Sequence, residues 1–424
     1  MLETIRKLWK IEDLRKKILY TFGMLILFRL VGSIPAPGIN LAAVYGSAGN
    51  SIPLLDVMNA MTGGALSQMT IMAMGISPYI NASIIMQLLC IAIPALERMQ
   101  QEEDGREKVA RITRYVTVGL AAVQAIGLSN GMGYAKAGAW NNVLIGVSMA
   151  GGSALAMWIG ERITDKGIGN GISLLIFVGI VSNVFNTIFN GFRTAIVNGS
   201  LSGAISSVGL LLVTVAVAVV VTYIDLGERR IQLQIAKQVK GRRVYGGQNT
   251  HMSLKVIAVG VLPLIFASSF LAVPGTIAQL IDPKATGWFT QFCMNHLSGR
   301  SWVYLVVSSL LIVAFTFFYS SISFDAKKQA EQLIQQGATI PGQRGKNIQA
   351  YLQRTNNRLN LFAALFLAVM AALPWLLLTG LGLTANFLSS SILIAVSVSL
   401  ETMRTLEGEL AIRGIESGKN NGFM

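Results

Sequence analysis

The stretch Pro53-Leu-Leu-Asp-Val-Met-Asn-Ala-Met-Thr-Gly-Gly-Ala-Leu-Ser-Gln68, continued by Met69-Thr-Ile-Met-Ala-Met-Gly-Ile-Ser-Pro-Tyr-Ile-Asn-Ala-Ser-Ile-Ile-Met-Gln-Leu-Leu89, decides how the whole chain is read. Leu54 to Met61 has the make-up of a helix but is far shorter than the roughly 20 apolar residues that cross a bilayer, so it ends inside protein or water. Gly63 and Gly64 break it. The nearly charge-free span that follows, Gln68 to Ile93, carries Gly75 and Pro78 near its outer end. Irregular backbone at membrane depth is tolerated only where protein encloses it or it lines a cavity. A half-helix beside a broken helix describes a conduit; the same residues also describe a re-entrant loop with a packing glycine.

At 53% hydrophobic and 13% charged residues over 424 positions, with mean hydropathy +0.57, the chain has the profile of a multispanning membrane protein and not of a soluble enzyme. Its formal charge is +14, from 34 Lys and Arg against 20 Asp and Glu, which suits nucleic acid, anionic lipid or an acidic partner surface. Cys90 in a span and Cys293 in a loop form no metal or disulfide spacing. Met1 to Lys17 is basic, with no small-residue cleavage site before the first span, so a removable signal peptide is not read there. Leu2, Ile5, Leu8 and Trp9 recur at helical spacing among Arg6, Lys7, Lys10, Arg15, Lys16 and Lys17. That pattern describes either an amphipathic helix lying on anionic phospholipids or a solvated basic arm.

Apolar runs predict ten spans: Ile18 to Val31, Gln68 to Ile93, Tyr115 to Leu128, Trp140 to Ile159, Ile168 to Ile188, Leu201 to Tyr223, Leu254 to Ile281, Trp302 to Ser321, Leu359 to Thr379 and Leu383 to Leu400. The second and seventh exceed what a perpendicular helix needs, which predicts tilt or protrusion. With the N-terminus inside, 29 Lys and Arg fall in inside segments and only Lys136, Arg193, Lys284 and Arg300 outside, with Arg29 in a span. This obeys the positive-inside rule and places both termini in the cytoplasm. Ten spans divide into two sets of five, residues 1–200 and 201–424, and an odd number per half permits an inverted repeat with a site at its interface.

Two inside loops, 224–255 and 322–358, are longer than connections require. In the first, Arg230-Ile-Gln-Leu-Gln-Ile-Ala-Lys237 alternates as a strand, Lys240-Gly-Arg-Arg243 turns, and Val244-Tyr245 returns, which predicts a basic-tipped hairpin. In the second, Asp325 caps a helix that ends before Gly337, and Pro341-Gly342 leads into a second basic helix. Chemistry is sparse. The spans hold almost no ionisable groups, His251 and His296 fall on opposite sides, and Gly167-Ile-Gly-Asn-Gly171 lacks the Lys-Ser/Thr of a phosphate loop, reading instead as a flexible start to a span. Ion-coupled transport wants buried charges along its path, so passage through an apolar constriction fits better.

Taken together, Ile34-Pro-Ala-Pro-Gly38, Gly63-Gly-Ala-Leu-Ser67, Gly75-Ile-Ser-Pro-Tyr-Ile80, Ala82-Ser-Ile-Ile85, Gly167-Ile-Gly-Asn-Gly-Ile-Ser173, Gly241-Arg-Arg-Val-Tyr245 and Ile265-Phe-Ala-Ser-Ser269 resemble the SecY/Sec61 family over essentially the whole chain. The resemblance, to the bacterial branch, implies an all-α membrane protein whose ten transmembrane helices form two inverted five-helix halves around a central hourglass pore. It implies a protein-conducting channel, not an enzyme, in the bacterial cytoplasmic membrane, without cofactor or metal. Such a channel passes secretory polypeptides and releases transmembrane segments sideways.

Residue by residue, the resemblance implies an apolar pore ring at Ile76, Ile80, Ile172, Ile176, Ile265 and Ile394. It implies a plug over Leu54 to Gln68, with Asp56, Asn59, Met61, Gly63, Gly64 and Leu66 its marked positions. It implies a lateral gate between the second and third spans on one side and the seventh and eighth on the other, with Gln124 and Ser83 as polar gate candidates. Arg242, Arg243 and Arg344 would dock cytosolic partners. The implied partners are SecE and SecG subunits, the SecA motor, the ribosome, and signal sequences with their nascent polypeptides. Two departures stand out: Ser253-Leu-Lys-Val-Ile257 where many bacterial relatives carry Pro-Leu-Lys-Val-Asn, and Gly345-Lys346 after Arg344 in place of Pro-Gly. The other readings are a secondary transporter for an uncharged solute, which the large basic loops oppose, and a scaffold with no conduit.

Overall fold

The computed structural model describes residues 9, 11–41, 44, 56–131, 136, 138–198, 201–235, 238–240, 243–245, 249–260, 262–282, 287–297, 301–342, 346–380 and 388–413. The helices are α1 (Glu12–Val31), α2 (Asp56–Met61), α3 (Ser77–Ala92), α4 (Pro94–Gln101), α5 (Glu103–Gly131), α6 (Ala139–Lys166), α7 (Gly171–Asn198), α8 (Leu201–Asp225), α9 (Leu262–Ile281), α10 (Trp288–His296), α11 (Trp302–Ser323), α12 (Ala326–Gln335), α13 (Lys346–Gly380) and α14 (Leu388–Ile412). Between α8 and α9 run β1 (Glu228–Ile235), β2 (Gln238–Lys240), β3 (Arg243–Tyr245) and β4 (Asn249–Lys255), and β5 (Ala338–Thr339) follows α12. Each expected span overlaps one long helix among these: α1, α3, α5, α6, α7, α8, α9, α11, α13 or α14. Among the described residues, four helices are long and apolar enough to cross a membrane, or five where the pair Ser77–Ala92 and Pro94–Gln100, bent by 110°, is counted as one broken span.

The outward faces are built for lipid. On α11, Trp302, Val306, Leu310 and Phe317 are exposed at spacings that keep them on one side, and α8 exposes Leu211, Leu212, Val215, Val219 and Val220. In water such stripes would drive association; against acyl chains they are the fitting surface. Trp140, Trp288 and Trp302 stand exposed near the starts of α6, α10 and α11, the placement tryptophan takes at a membrane interface.

Several expectations need correction. The second span does not run as helix from Gln68: residues 68–76 form turns, Thr70 bridges to Pro35, and α3 begins at Ser77 with Pro78 in its first turn. Proline is welcome there because the first N–H groups of a helix have no partner to lose. The seventh span likewise opens on the end of β4 and a turn over 256–260, so its surplus length is not helix. Cys293 lies buried in α10 and not in a loop. Arg15, Lys16 and Lys17 belong to the continuous helix α1, and Lys17 pairs with Glu409 of α14 at 2.7 Å. Of the proposed surface helix, Leu2, Ile5 and Leu8 lie outside the described residues.

The hairpin is also different. β1 pairs antiparallel with β4, in register Arg230↔Ser253, while Val244 and Tyr245 of β3 pair with β2. Alternation marks a strand but does not choose its partner. The other edge of β1 takes β5, through Gln234↔Thr339 and Ile235↔Ala338, so the two long loops form one sheet of order β4-β1-β5. Its apolar face, Ile231 and Leu233, packs with Ala330, Leu333, Ile348 and Leu352 of the second loop. As expected, Asp325 caps α12, its Oδ1 accepting from the N–H groups of Lys327 and Lys328 at 3.0 and 3.2 Å. Gly337, at φ 66°, ends the turn that follows. The second basic helix is the first part of α13, 35 residues long without a break.

Candidate functional site

Five of the six ring isoleucines, Ile76, Ile80, Ile176, Ile265 and Ile394, are buried in one hydrophobic cluster, and Ile172 packs against it half-buried. They come from four elements: the start of α3, then α7, α9 and α14. Local chemistry aims two of these elements. Pro78 and the turn before it start α3 so that Ile76 and Ile80, four residues apart, share a face. Asn170 starts α7 by accepting at Oδ1 from Ile172 N at 3.1 Å and Ser173 N at 3.3 Å. The Gly167–Gly171 joint is therefore tightly held and not a flexible start. A Cβ on Gly171 would lie 2.0 Å from the carbonyl oxygen of Gly160 in α6, so only glycine permits this approach. The same cluster also holds Ile84 and Ile257.

The short helix α2 packs against α7, α9 and α14, three of the elements that supply the isoleucines. Met61, at its end, is buried in the same cluster. Gly63 and Gly64 follow with φ 68° and 89°, left-handed backbone that a side chain would strain. Asn59 closes the turn, its Oδ1 accepting from Ser67 N at 2.9 Å and its carbonyl from Gly64 N at 2.9 Å. Leu66 and Met58 turn into a second cluster with Ala36, Ile39, Met69, Leu128, Ile145 and Met149. Asp56 opens α2, and its side chain lies outside the described set. Leu54 and Leu55 also lie outside the described residues.

Arg29, costly in a span without a partner, reaches Gly63: its Nη1 donates to the Gly63 carbonyl at 3.4 Å. Gly179 of α7 comes so near that a Cβ there would sit 2.1 Å from the Met61 carbonyl oxygen. The seat of α2 is thus shaped by two contacts that sequence reading did not find, although an arginine in an apolar span was the signal for the first.

Residues 70–403 match the sequence profile of the SecY family. Along its full length the chain is 40% identical to the protein translocase subunit SecY of Bacillus subtilis (strain 168), covering 100% of both. The chain belongs to the SecY family. It is 36% identical to the SecY subunit of Helicobacter pylori (strain 26695 among its designations), over 97% of this chain and 100% of that one. Its fold matches a structure described as a protein conducting channel, at TM-score 0.67 and 20% identity over 93% and 92% of the two chains. It also matches Sec61 from a canine ribosome-channel complex, at TM-score 0.64 and 18% identity over 93% and 92%. The architecture is therefore that of SecY/Sec61 membrane channels.

In this SecY-family chain α3 and α5 both pack on α9, and α9 packs on α11. The two gate candidates sit one on α3 and one on α5. Ser83 is half-buried in α3. Gln124, in α5, has a buried Oε1 without a hydrogen-bond partner among the described residues, and such an acceptor costs about 1–3 kcal/mol to leave unpaired. The polar contact that does cross the seam was missed: Gln87 of α3 donates to the Tyr319 hydroxyl of α11 at 3.3 Å. A glutamine within an apolar span was its signal.

Beside the cluster that holds these isoleucines opens a cavity of about 480 Å³ lined by Asn170, Ser173, Asp225, Ile257, Tyr319 and Arg404, among others. Arg404 Nη1 lies 3.4 Å from Asp225 Oδ2, and Arg404 also bonds the Asp225 carbonyl, tying α14 to the end of α8. Of the docking arginines, Arg243 begins β3, its side chain outside the described set, while Arg242 and Arg344 lie outside the described residues.

Proposed function

We infer that this chain forms the protein-conducting channel of a Sec translocon, passing unfolded secretory polypeptides across the bacterial cytoplasmic membrane and releasing transmembrane segments sideways into the bilayer. The observation that carries this reading is the convergence of Ile76, Ile80, Ile172, Ile176, Ile265 and Ile394 on one apolar cluster, with α2 seated on three of the contributing helices. Branched apolar side chains fix no hydrogen bonds, so a sliding polypeptide is gripped loosely while water and ions meet a dewetting barrier. Asp56, Asn59, Met61, Gly63, Gly64 and Leu66 form the plug that covers this ring when no chain is passing. The chain is a passage and not an enzyme; its driving force comes from partners.

Residues 1–200 and 201–424 form the two inverted halves, and a transmembrane segment leaves between α3 and α5 on one side and α9 and α11 on the other, past Ser83 and Gln124. Both termini are cytoplasmic, as the 29 to 4 split of basic residues supports. The exposed Trp140, Trp288 and Trp302 then all mark the outer interface. The basic sheet of the two long loops projects into the cytoplasm, where Arg242, Arg243 and Arg344 engage the SecA motor or the ribosome. SecE and SecG subunits complete the channel, signal sequences open it, and anionic phospholipids receive the basic N-terminus.

The test is a stalled polypeptide in reconstituted vesicles. A photo-crosslinker placed at Ile80, Ile176 or Ile265 should capture the chain in transit, and one at lipid-facing Ile85, which is 43% exposed, should capture lipid. Equal capture at Ile80 and Ile85 would remove the ring from the path.

A further inference from the structure

One end of α13 carries a groove that none of the ring, plug or gate residues lines. Arg354, Asn357, Arg358 and Leu361 follow one another on an exposed face of α13, and with Phe317 of α11 they line a groove of about 600 Å³. The opposite face is fixed inward. Leu352 is fully buried in the loop core, and Asn356 and Asn360 both donate to the Ser320 hydroxyl of α11, the first at 3.0 Å. That bonding fixes the face of α13 from which the two arginines project.

Neither guanidinium has a carboxylate partner among the described residues, and α13 contains no Asp or Glu from Lys346 to Gly380. Elsewhere Arg111, Arg114, Arg162, Arg404 and Arg413 each lie within 3.8 Å of an acidic oxygen. Gln353 donates to Asn357 Oδ1 at 3.3 Å, which engages the Asn357 oxygen and leaves its amide hydrogens to donate. Directly past Arg358 the same side of the helix becomes apolar: Leu361, Phe362, Leu365 and Val369 are all more than half exposed. At 1.5 Å per residue, Arg354 stands only about 10 Å from Leu361 along the axis.

We propose that Arg354 and Arg358, with Asn357, hold the phosphate of an anionic phospholipid whose acyl chains lie along Phe317, Leu361 and Leu365. Two adjacent guanidinium forks match phosphate oxygens, and the floor of the groove suits what a phosphate carries only in a lipid. A free phosphate would leave that floor unused. An acidic protein segment would satisfy the charge but has no need of the apolar strip below it. The proposal rests on the chain spanning a membrane and not on what it transports.

The test uses the full chain in nanodiscs of phosphatidylcholine containing a minor share of phosphatidylglycerol, with retained lipid counted by native mass spectrometry. Each basic side chain near a lipid surface contributes about fivefold in affinity, so Arg354→Gln with Arg358→Gln should weaken retention of one phosphatidylglycerol by roughly 25-fold. The Lys pair at both positions keeps the charge but loses the fork, so its retention should fall between that of the unaltered chain and that of the Gln pair. Phe317→Ser, which leaves the charges in place, should weaken long-chain phosphatidylglycerol while sparing a short-chain analogue. Unchanged retention in the Gln pair overturns the proposal. So does displacement of the lipid by millimolar inorganic phosphate, or capture of a copurifying protein in place of lipid by a crosslinker at Asn357.

Discussion

Gln87 of α3 and Tyr319 of α11 share a hydrogen bond of 3.3 Å, which ties the N-terminal and C-terminal parts of the chain together across the seam where α3 and α5 meet α9. Tyr319 is steadied from behind, its ring 5.2 Å from Phe266, which in turn meets Phe315 edge-on at 6.1 Å. The seam is thus closed by apolar packing plus one oriented polar contact. Parting these helices sideways must break that contact.

A neutral hydrogen bond contributes about 1 kcal/mol net, which is roughly fivefold in an equilibrium constant. Tyr319→Phe keeps the ring packing and deletes the bond, so the parted seam should gain roughly fivefold in population relative to the closed one. Spin labels at exposed Ile85 and Leu310 would read the two populations as a distance distribution. An identical distribution in the variant would show that the bond does not hold the seam.

At the ring, Ile80→Ser with Ile265→Ser introduces hydroxyls that bond water and weaken the dewetting barrier. Resting ion conductance in planar bilayers should rise clearly above that of the unaltered chain. Ile80→Val, which costs about 1 kcal/mol of packing, should leave it at background. If the polar pair conducts no more than the parent, the isoleucines do not form the seal.

Gly179 offers a way to unseat α2 without deleting it. A methyl group there would be 2.1 Å from the Met61 carbonyl oxygen, so Gly179→Ala must push the short helix outward, at a strain of about 1–3 kcal/mol. Met61→Cys, placed at a site only 7% exposed, should then react with a polar thiol reagent roughly tenfold faster or more in the Gly179→Ala background. Unchanged reactivity would mean that α2 does not rest on Gly179.

Substitutions in the loop sheet test folding and the proposed docking role separately. Leu352→Ala removes a fully buried side chain from the core shared by both loops and should cost about 2–5 kcal/mol, seen as faster amide exchange in β4 and β5. Arg242→Glu with Arg243→Glu should leave that exchange unchanged, because neither residue belongs to the shared core. The same charge reversal should weaken binding of SecA or ribosomes, since it opposes an acidic or phosphate surface. Full binding by the double Glu variant would remove these arginines from the docking surface.

The spans were legible because hydrophobic runs of membrane length and the sidedness of basic residues are properties of the chain read in one dimension. The four-residue spacing of Ile172 and Ile176 puts both on one side of α7, and both meet the same cluster. Asp325 as a cap and Gly63-Gly64 as a break followed from the local demands of backbone donors and of positive φ. Where the runs were too long, at residues 68–76 and 254–260, apolarity could not distinguish helix from buried turn or strand end.

What only the tertiary structure decided are the relations between residues far apart in the chain. Alternation from Arg230 announced a strand, yet its partners, Asn249–Lys255 on one edge and Ala338–Thr339 on the other, depend on which backbone edges the fold brings together. Arg29 demanded a partner by its charge, and the fold supplied a carbonyl 34 residues away at Gly63. Gln87 and Tyr319 stand 232 residues apart, and no local pattern links them. Sequence periodicity determines which face a side chain takes on its own helix; what that face meets is set by helix packing, where the close approaches allowed by Gly171 and Gly179 select one arrangement.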